Sequence, residues 1–368
     1  MSYYPILQKY NGLDFQNIFD TTTDSDIERA ISAESITELA LLHLLSIKAA
    51  SKIESIAERS KELTTQYFGK TISLYTPIYL SNYCTNKCPY CGFNASSKIE
   101  RKQLTEIELE REAEFISDQG FQHVIILTGE SKQIAPLSYI ESCVKILKKR
   151  FSSISIEIYP LTETEYKRLI DLGVDGLTLY QEVYNQSIYK NLHQGGAKEN
   201  YLFRLNAPER ALSQGMRTVS IGALLGLNNW RKEVFFAATH ARYLQDKFSS
   251  SEISISTPRI QPQVNQFKPE VIVSNRDLVQ IITALRIFLP RVGINLSTRE
   301  SRALRDNLIR LGVTKISAQS STAVGGHTAS KNTSSPQFET ADKRSLKEIK
   351  DHLLNCGYQP VFKDWVSF

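Results

Sequence analysis

What most constrains the fold of this chain is an alternation that repeats eight times from Thr71 onward. Short runs rich in β-branched and aromatic residues occupy Thr71–Tyr83, His123–Gly129, Ser153–Tyr159, Gly176–Glu182, Thr218–Gly226, Glu252–Ile260, Gly293–Glu300 and Thr314–Ser320. Segments of helical period separate them: Thr105–Gln119, Leu137–Arg150, Thr162–Asp171, Ala207–Gln214, Trp230–Lys247, Asn275–Leu289 and Arg302–Leu311. Gly120, Gly173, Gly215 and Gly312 stand where those helices should stop, glycine being the residue that enters the left-handed C-cap without steric cost. Eight β/α units predict an α/β fold of the (β/α)8 TIM-barrel type. The rival, a doubly wound open sheet, wants a G-x-G-x-x-G after a strand, and none follows any of them.

Two segments flank the barrel. Residues 1–70 form an N-terminal helical extension, read as helix from Asp24 to about Phe68, with Asp24 and Ser25 able to cap its first turn. The barrel itself takes residues 71–320, and residues 321–368 carry a lid loop and a capping helix. The polar loop Ser320–Pro336, with its Gly325-Gly326 pair, reads equally as a lid on the top face or as a disordered segment. A last helix, Ser345–Asn355, and an aromatic end from Tyr358 to Phe368 are expected to dock on the body.

Bulk properties exclude several classes. With 41% hydrophobic and 23% charged residues in 368, the chain is a soluble globular protein with ample core. Its net charge of +5 is spread among mixed signs, so no basic stripe points to nucleic acid. No apolar run approaches the ~20 residues a membrane span needs, and Met1-Ser-Tyr-Tyr-Pro5 lacks a charged-then-apolar leader. A cytoplasmic, reducing setting is expected.

The chemistry concentrates in Tyr79-Leu-Ser-Asn-Tyr-Cys84-Thr-Asn-Lys-Cys88-Pro-Tyr90-Cys91. Three thiols at C-x3-C-x2-C spacing can hold three corners of a cubane, whereas a [4Fe–4S] site made by protein alone normally recruits a fourth. One iron is then open to a ligand. Structural zinc wants four ligands, usually as two pairs, and no second pair or nearby histidine completes that set. A disulfide cage is at odds with an odd number of thiols. Cys143 and Cys356 lie in helical patterns and read as small buried hydrophobes.

Barrel enzymes carry their reactive groups at the C-terminal ends of strands. Here those ends hold the cysteines, Leu127-Thr-Gly-Glu130, Tyr180-Gln-Glu182, Thr257-Pro-Arg259, Ser297-Thr-Arg299-Glu300 and Ser317-Ala-Gln-Ser320. Together they frame a polar pocket suited to a zwitterion, since a carboxylate wants an arginine fork and an ammonium wants a carboxylate or hydroxyl. His240, mid-helix and far below the top face, reads as structural, and Trp365 reads as packing.

The cluster spacing, with Tyr90 before the third thiol, resembles the radical S-adenosylmethionine (SAM) enzymes, in which SAM chelates the open iron through its amino and carboxylate groups. Beyond it, Tyr180-Gln-Glu182-Val-Tyr184, Gly222-Ala-Leu-Leu-Gly-Leu-Asn-Asn-Trp230-Arg231, Pro258-Arg259, Ser297-Thr-Arg-Glu300, Ser317-Ala-Gln-Ser320, Gln337-Phe-Glu339 and Lys363-Asp-Trp365 resemble the 2-iminoacetate synthases, the tyrosine lyases of thiamine thiazole biosynthesis. The likeness covers about residues 70 to 368.

The resemblance implies that Cys84, Cys88 and Cys91 hold the [4Fe–4S] cluster and that Tyr90 lies by the adenine of SAM. It places Glu130 at the methionyl amino group, Glu182 at the ribose and Arg204 at the methionyl carboxylate. It gives Arg299 the carboxylate of L-tyrosine and Ser317, or Ser320 in its place, the substrate amino group. Where the family often has Ser-Ala-Gly-Ser, this chain has Gln319 in the third place. The implied reaction begins with a flavodoxin- or ferredoxin-type electron donor and reductive cleavage of SAM. Loss of hydrogen from the substrate amine and rupture of the Cα–Cβ bond follow, giving dehydroglycine and p-cresol, with thiazole synthase as the expected protein partner. The alternatives are a related aromatic amino acid lyase, acting on tryptophan or forming carbon monoxide and cyanide for [FeFe]-hydrogenase, and a non-catalytic iron–sulfur or zinc protein. The carbon monoxide-forming enzyme carries a second cluster on a C-terminal cysteine extension, whereas this chain has only Cys356 near Phe368.

Overall fold

The computed structural model describes residues 2–328 and 334–363. Part of the expected lid, residues 329–333, and the last five residues, 364–368, which include Trp365, lie outside the described residues.

The barrel strands are β1 (Thr71–Ser81), β2 (His123–Thr128), β3 (Ser153–Glu157), β4 (Gly176–Thr178), β5 (Thr218–Gly222), β6 (Glu252–Ser256), β7 (Gly293–Leu296) and β8 (Lys315–Ser317). All pair in parallel in chain order, and β8 and β2 both pair with β1, which closes the cylinder. A ninth strand, β9 (Gln359–Val361), pairs with the start of β1 at Thr71–Ser73, so the segment after the last helix returns to the sheet.

Side chains alternate across each strand. On β2, Val124 and Ile126 bury against the surrounding helices, while His123, Ile125 and Leu127 line the interior. A barrel interior is commonly filled by layers of branched apolar side chains. Here Ser155, Thr178, Ser220, Ser254, Ser256 and Asn295 face inward. Asn295 Nδ2 donates to the hydroxyls of Ser220 and Ser254, each at 3.0 Å. These side chains are too short to meet across the axis, and a cavity of about 910 Å³ remains inside the cylinder.

Five of the expected strands end three or more residues early, and the other three by one or two. The ladder stops at Thr178, Gly222, Ser256, Leu296 and Ser317, and beyond it the pairing continues as the isolated bridges Glu182↔Ala223 and Leu225↔Arg259 and a few single backbone hydrogen bonds. The apolar alternation persists past those points because the chain still crosses the buried top of the barrel, but it does so as loops. Glu182 (φ 69°) and Gln319 (φ 49°) take left-handed conformations there, which no regular strand permits. At Gln319 the side chain compensates, its Oε1 accepting the N–H of Leu346 at 3.0 Å in the first turn of the helix Leu346–Asn355.

The N-terminal extension comprises Tyr4–Asn11, Phe15–Thr21, Asp24–Ser32, Glu38–Leu45 and Ile53–Phe68, so helix begins twenty residues before Asp24 and the long helical stretch is interrupted. Pro5 in the first turn and capping oxygens on Asp14, Thr23 and Thr37 fix the starts of the first four. The extension packs on the barrel flank against Trp230–Lys247 and Asn275–Phe288. Arg231 Nε donates to Leu45 O at 2.8 Å, Gln280 Nε2 to Leu44 O and Ser46 O, both at 2.8 Å, and Tyr3 OH to Phe236 O at 2.9 Å. His240 belongs to this packing: its ring stacks on Tyr3 at 4.2 Å and its Nδ1 meets Tyr184 OH at 3.0 Å.

Candidate active site

All nine residues singled out in the sequence face the barrel cavity: Cys84, Cys88, Cys91, Tyr90, Glu130, Glu182, Arg204, Arg299 and Ser317. The three cysteines lie on the loop after β1 and are free. That loop is clamped by its own polar groups. Asn94 Nδ2 donates to Cys88 O at 2.9 Å, the Cys91 N–H to Cys88 O at 3.2 Å, and Asn265 Nδ2 to Cys91 O at 2.8 Å. Close approach is built in as well: a Cβ on Gly129 would run into the carbonyl of Tyr83, and one on Gly92 into that of Gln337.

Burial pushes the thiols up, Cys84 to about 11 and Cys88 to about 12, with Cys91 also raised. Uncharged thiols in such a place are the form that a bound metal converts to thiolates. Donors for the thiolates are already present: backbone N–H groups of Asn86 and Glu130 at Cys84, that of Phe93 at Cys91, and Gln337 Nε2 at 3.5 Å from Cys91 Sγ. Hydrogen bonds of this kind tune iron–sulfur sites. Among the described residues, no three Cys, His, Asp or Glu side chains converge on a point as one metal ion requires. A cubane spreads its ligands over separate corners. Cys143 and Cys356 lie outside the cavity, and the lining thiols therefore fit a [4Fe–4S] cluster with one iron left open.

Beside the thiols stand two carboxylates and two cations. Arg204 Nη1 donates to Glu130 Oε1 at 2.8 Å and its Nε to Tyr180 O at 2.7 Å. The other Glu130 oxygen accepts Asn86 Nδ2 at 2.9 Å. Lys198 Nζ meets Glu182 Oε1 at 2.7 Å, and Arg204 Nη2 lies 3.7 Å from the same oxygen. Burial pushes Glu130 up, yet Arg204, Lys198 and Asn86 hold it below the usual carboxylate range. Burial and the Arg204 charge oppose protonation of Lys198, but the carboxylates of Glu182 and Glu130 keep its ammonium above the ordinary lysine value. The quartet is neutral overall, and it matches the charge pattern of a zwitterionic methionyl group.

Lys198, Asn86 and His193 carry no signal of their own in the sequence, and the geometry adds them to the site together with the strand-end Glu157 and with Gln337. Lys198 reaches the quartet from a 3₁₀ turn, Ala197–Glu199, inside a β4–β5 connection that also contains the helices Gln186–Leu192 and Tyr201–Leu205. Gly195-Gly196 is the visible mark of that approach. A side chain on Gly196 (φ +85°) would strike Asn86 Oδ1, which instead accepts the Lys198 N–H at 3.0 Å.

Tyr90 is fixed by the same connection. His193 Nδ1 donates to Tyr189 O at 2.7 Å, which leaves Nε2 to accept from Tyr90 OH at 2.7 Å. Burial first, with help from the Lys198 charge, pushes His193 down to about 2 and keeps it neutral. The Tyr90 ring lies against a small apolar cluster of Val183, Leu224 and Leu227, a flat face suited to an aromatic base.

Across the cavity, the Arg299 guanidinium lies 3.4 Å above the centre of the Phe338 ring and donates, weakly at 3.4 Å, to Arg259 O. Ser317 Oγ accepts the Thr298 N–H at 3.1 Å, whereas the buried Ser320 Oγ has no partner among the described residues. Of the strand-end charges, Arg259 and Glu300 turn out to serve each other. They form an ion pair, and Arg259 also donates to Val273 O at 2.8 Å and Asn275 Oδ1 at 3.0 Å.

Of the polar loop, Ser320 and Thr322 line the cavity, and Gln337 and Phe338 just past it line it too. Gln337 N–H donates to Thr322 O at 3.0 Å, Gly92 N–H to Gln337 O at 3.2 Å, and Tyr79 OH to Gln337 Oε1 at 2.8 Å. Gln337 thereby touches both the Cys91 thiol and the cavity wall.

Comparison with known proteins agrees with this geometry. The Radical SAM superfamily matches residues 78–237, and the Biotin and Thiamin Synthesis associated domain matches residues 256–359. The 2-iminoacetate synthase of Escherichia coli is 38% identical over 98% of this chain and 96% of its own length, and that of Salmonella typhimurium is 38% identical over 94% and 92%. The X-ray structure of the FeFe-hydrogenase maturase HydG from Carboxydothermus hydrogenoformans superposes with a TM-score of 0.86 at 33% identity, over 98% of this chain and 82% of that one. The chain belongs to the 2-iminoacetate synthase family of the Radical SAM superfamily.

Proposed function

We propose that this chain is a radical SAM tyrosine lyase that cleaves the Cα–Cβ bond of L-tyrosine to 2-iminoacetate and p-cresol, supplying the two-carbon unit for the thiazole of thiamine. The observation that carries the reading is one cavity holding three thiols, a neutral charge quartet beside them, and an arginine fork across from both. A non-catalytic iron–sulfur protein has no use for such a cavity.

When bound at Cys84, Cys88 and Cys91, the cluster supplies the single electron that splits SAM into methionine and the carbon radical that removes hydrogen from the substrate amine. The protein's own work is placement and exclusion of water. Arg204 would receive the methionyl carboxylate and Glu130 the methionyl ammonium, each exchanging its present partner for one of the same sign. Glu182, steadied by Lys198, would meet the ribose hydroxyls, and Tyr90 would border the adenine. Arg299, its fork held flat by Phe338, would take the tyrosine carboxylate. Ser317 would lie near the amino end; the uncommitted hydroxyl of Ser320 supports it as the second candidate. The segment through Gln337 and Phe338 would shield the reacting atoms from water.

A flavodoxin- or ferredoxin-type donor would deliver the electron, and thiazole synthase would consume the reactive imine. We also take residues 1–70, 71–320 and 321–368 as extension, catalytic barrel and cap. Among the described residues, no helix is long and apolar enough to cross a membrane, and a cytoplasmic setting suits five free cysteines.

The test is substrate choice. Anaerobically reconstituted protein, supplied with reductant and SAM, is offered tyrosine and tryptophan separately, and the products and headspace are analysed. Tyrosine should give p-cresol without carbon monoxide or cyanide. Consumption of tryptophan alone, or release of those gases, would replace this reading with that of a sister lyase.

A further inference from the structure

One acidic group of the cavity has no task in the reading above. Glu157 is the last residue of β3, opposite Leu127 of β2 in the ladder, and its side chain lines the cavity. The other three carboxylates at the C-terminal end are committed: Glu130 to Arg204 and Asn86, Glu182 to Lys198, Glu300 to Arg259. Among the described residues, no hydrogen bond or ion pair reaches Glu157. A carboxylate held in an enclosed, partly apolar space without a partner is costly, and it persists where a ligand completes it.

Its position says which ligand. Glu157 lines the same cavity as the quartet and Arg299, and the charges that act on it are those of Glu182, Arg299, Arg204 and Lys198. Three tyrosines of the cavity wall, Tyr75, Tyr79 and Tyr180, feel its charge in turn. An amino acid anchored by its carboxylate on Arg299 must present its ammonium a few ångströms away, on the side of the SAM site. Hydroxyls there can accept a hydrogen bond but cannot neutralise the charge or take a proton. A carboxylate can do both.

We propose that the Glu157 carboxylate receives the α-ammonium of the substrate and accepts one of its protons, so that the nitrogen meets the radical as a neutral amine. The N–H bond breaks heterolytically, both electrons stay on nitrogen as its lone pair, and the proton goes to a Glu157 oxygen. No oxidant or reductant is needed. Burial, with the neighbouring Glu182 charge, pushes the Glu157 carboxyl up to about 7, against the opposing pull of Arg299, Arg204 and Lys198. An acid with that value exchanges protons readily near neutral pH. The inference rests on the tyrosine-lyase reading and on Arg299 as the carboxylate anchor.

The test compares wild type and Glu157→Gln, both reconstituted and SAM-bound, by calorimetric titration with three probes. L-tyrosine has both the amino group and the phenol, L-phenylalanine lacks the phenol, and 3-(4-hydroxyphenyl)propanoate lacks the amino group. Glu157→Gln should weaken both amino acids by about 10- to 100-fold, the loss expected for one charge-assisted hydrogen bond, and leave the deaminated acid within about twofold. The rise of p-cresol formation with pH through neutrality should vanish in Glu157→Gln and return in Glu157→Asp. Weakening of tyrosine and the deaminated acid but not phenylalanine would assign the residue to the phenol and overturn the proposal. Equal weakening of all three, or of none, would overturn it too. If the amino-selective loss appears but wild type forms no p-cresol, the lyase reading fails and the ammonium site stands.

Discussion

Replacing Lys198 with methionine removes an ammonium that lies 2.7 Å from Glu182 while keeping most of the aliphatic stem. Both partners are largely shielded, with side chains 8% and 11% exposed, so the pair is not a surface bridge of negligible worth. Breaking a buried pair from one side typically costs about 3–5 kcal/mol, because the other charge is left uncompensated. Arg204, 3.7 Å from the same Glu182 oxygen, remains in reach and lowers the expected loss to about 2–3 kcal/mol. At about 2.1 cal/mol/K per residue, a chain of 368 residues melts with an entropy of about 0.8 kcal/mol/K, so the melting temperature should fall by about 3–4 °C. Urea unfolding of Lys198→Met, Glu182→Gln and the double variant would form a cycle. Because the neutral pair needs no compensation, the double variant should lose less than the two singles together, with a coupling of about 2 kcal/mol. Additive losses would show that the two groups do not act as a pair, and the reasoning from the quartet would fail.

Other expectations follow from single contacts. Arg299→Ala should abolish tyrosine turnover with iron and sulfide content unchanged; loss of iron instead would make the residue structural. Each of Cys84→Ala, Cys88→Ala and Cys91→Ala should leave reconstituted protein without a full cluster by iron analysis, whereas Cys143→Ala, outside the cavity, should retain it. His240 is held neutral by burial, pushed down to about 3 from an ordinary 6.5, so the unfolded chain takes up a proton below pH 6.5 that the folded chain refuses. Its stability contribution is therefore fully present above that value and lost progressively as pH falls from there towards the folded value of about 3. Between pH 7.5 and 5.5 wild type should lose about 1.4 kcal/mol more than His240→Phe, measured by urea unfolding at both values.

Much of this molecule is legible from its residues. The eight β/α units and the glycine stops foretell the closed barrel, because period-2 and period-3.6 burial leave different marks in sequence. The cysteine spacing foretells that three thiols share one loop at the cavity, because short-range geometry is carried by short-range sequence. The upper ends of five strands are not legible for a physical reason: a loop crossing a buried surface keeps apolar alternation after it has left the ladder, and Glu182 at φ 69° shows where that happens. Lys198 and His193 are not legible because they reach the site from the first part of the β4–β5 connection, where the short helices Gln186–Leu192 and Tyr201–Leu205 and the glycine pair between them have no strong period. Gln337 approaches Cys91 across 246 residues of chain, a distance over which no local pattern speaks. Glu157 is a different case. It obeys the strand-end rule as well as Glu130 does, but as a lone acid in a run of isoleucines and serines it has no partner motif to draw the eye.

The most direct measurement is the stoichiometry of a single anaerobic incubation with ring-deuterated L-tyrosine, SAM and reductant. The account predicts deuterated p-cresol and 5′-deoxyadenosine in equal amounts, both lost in Cys88→Ala. Formation of 5′-deoxyadenosine with the tyrosine returned intact would contradict it.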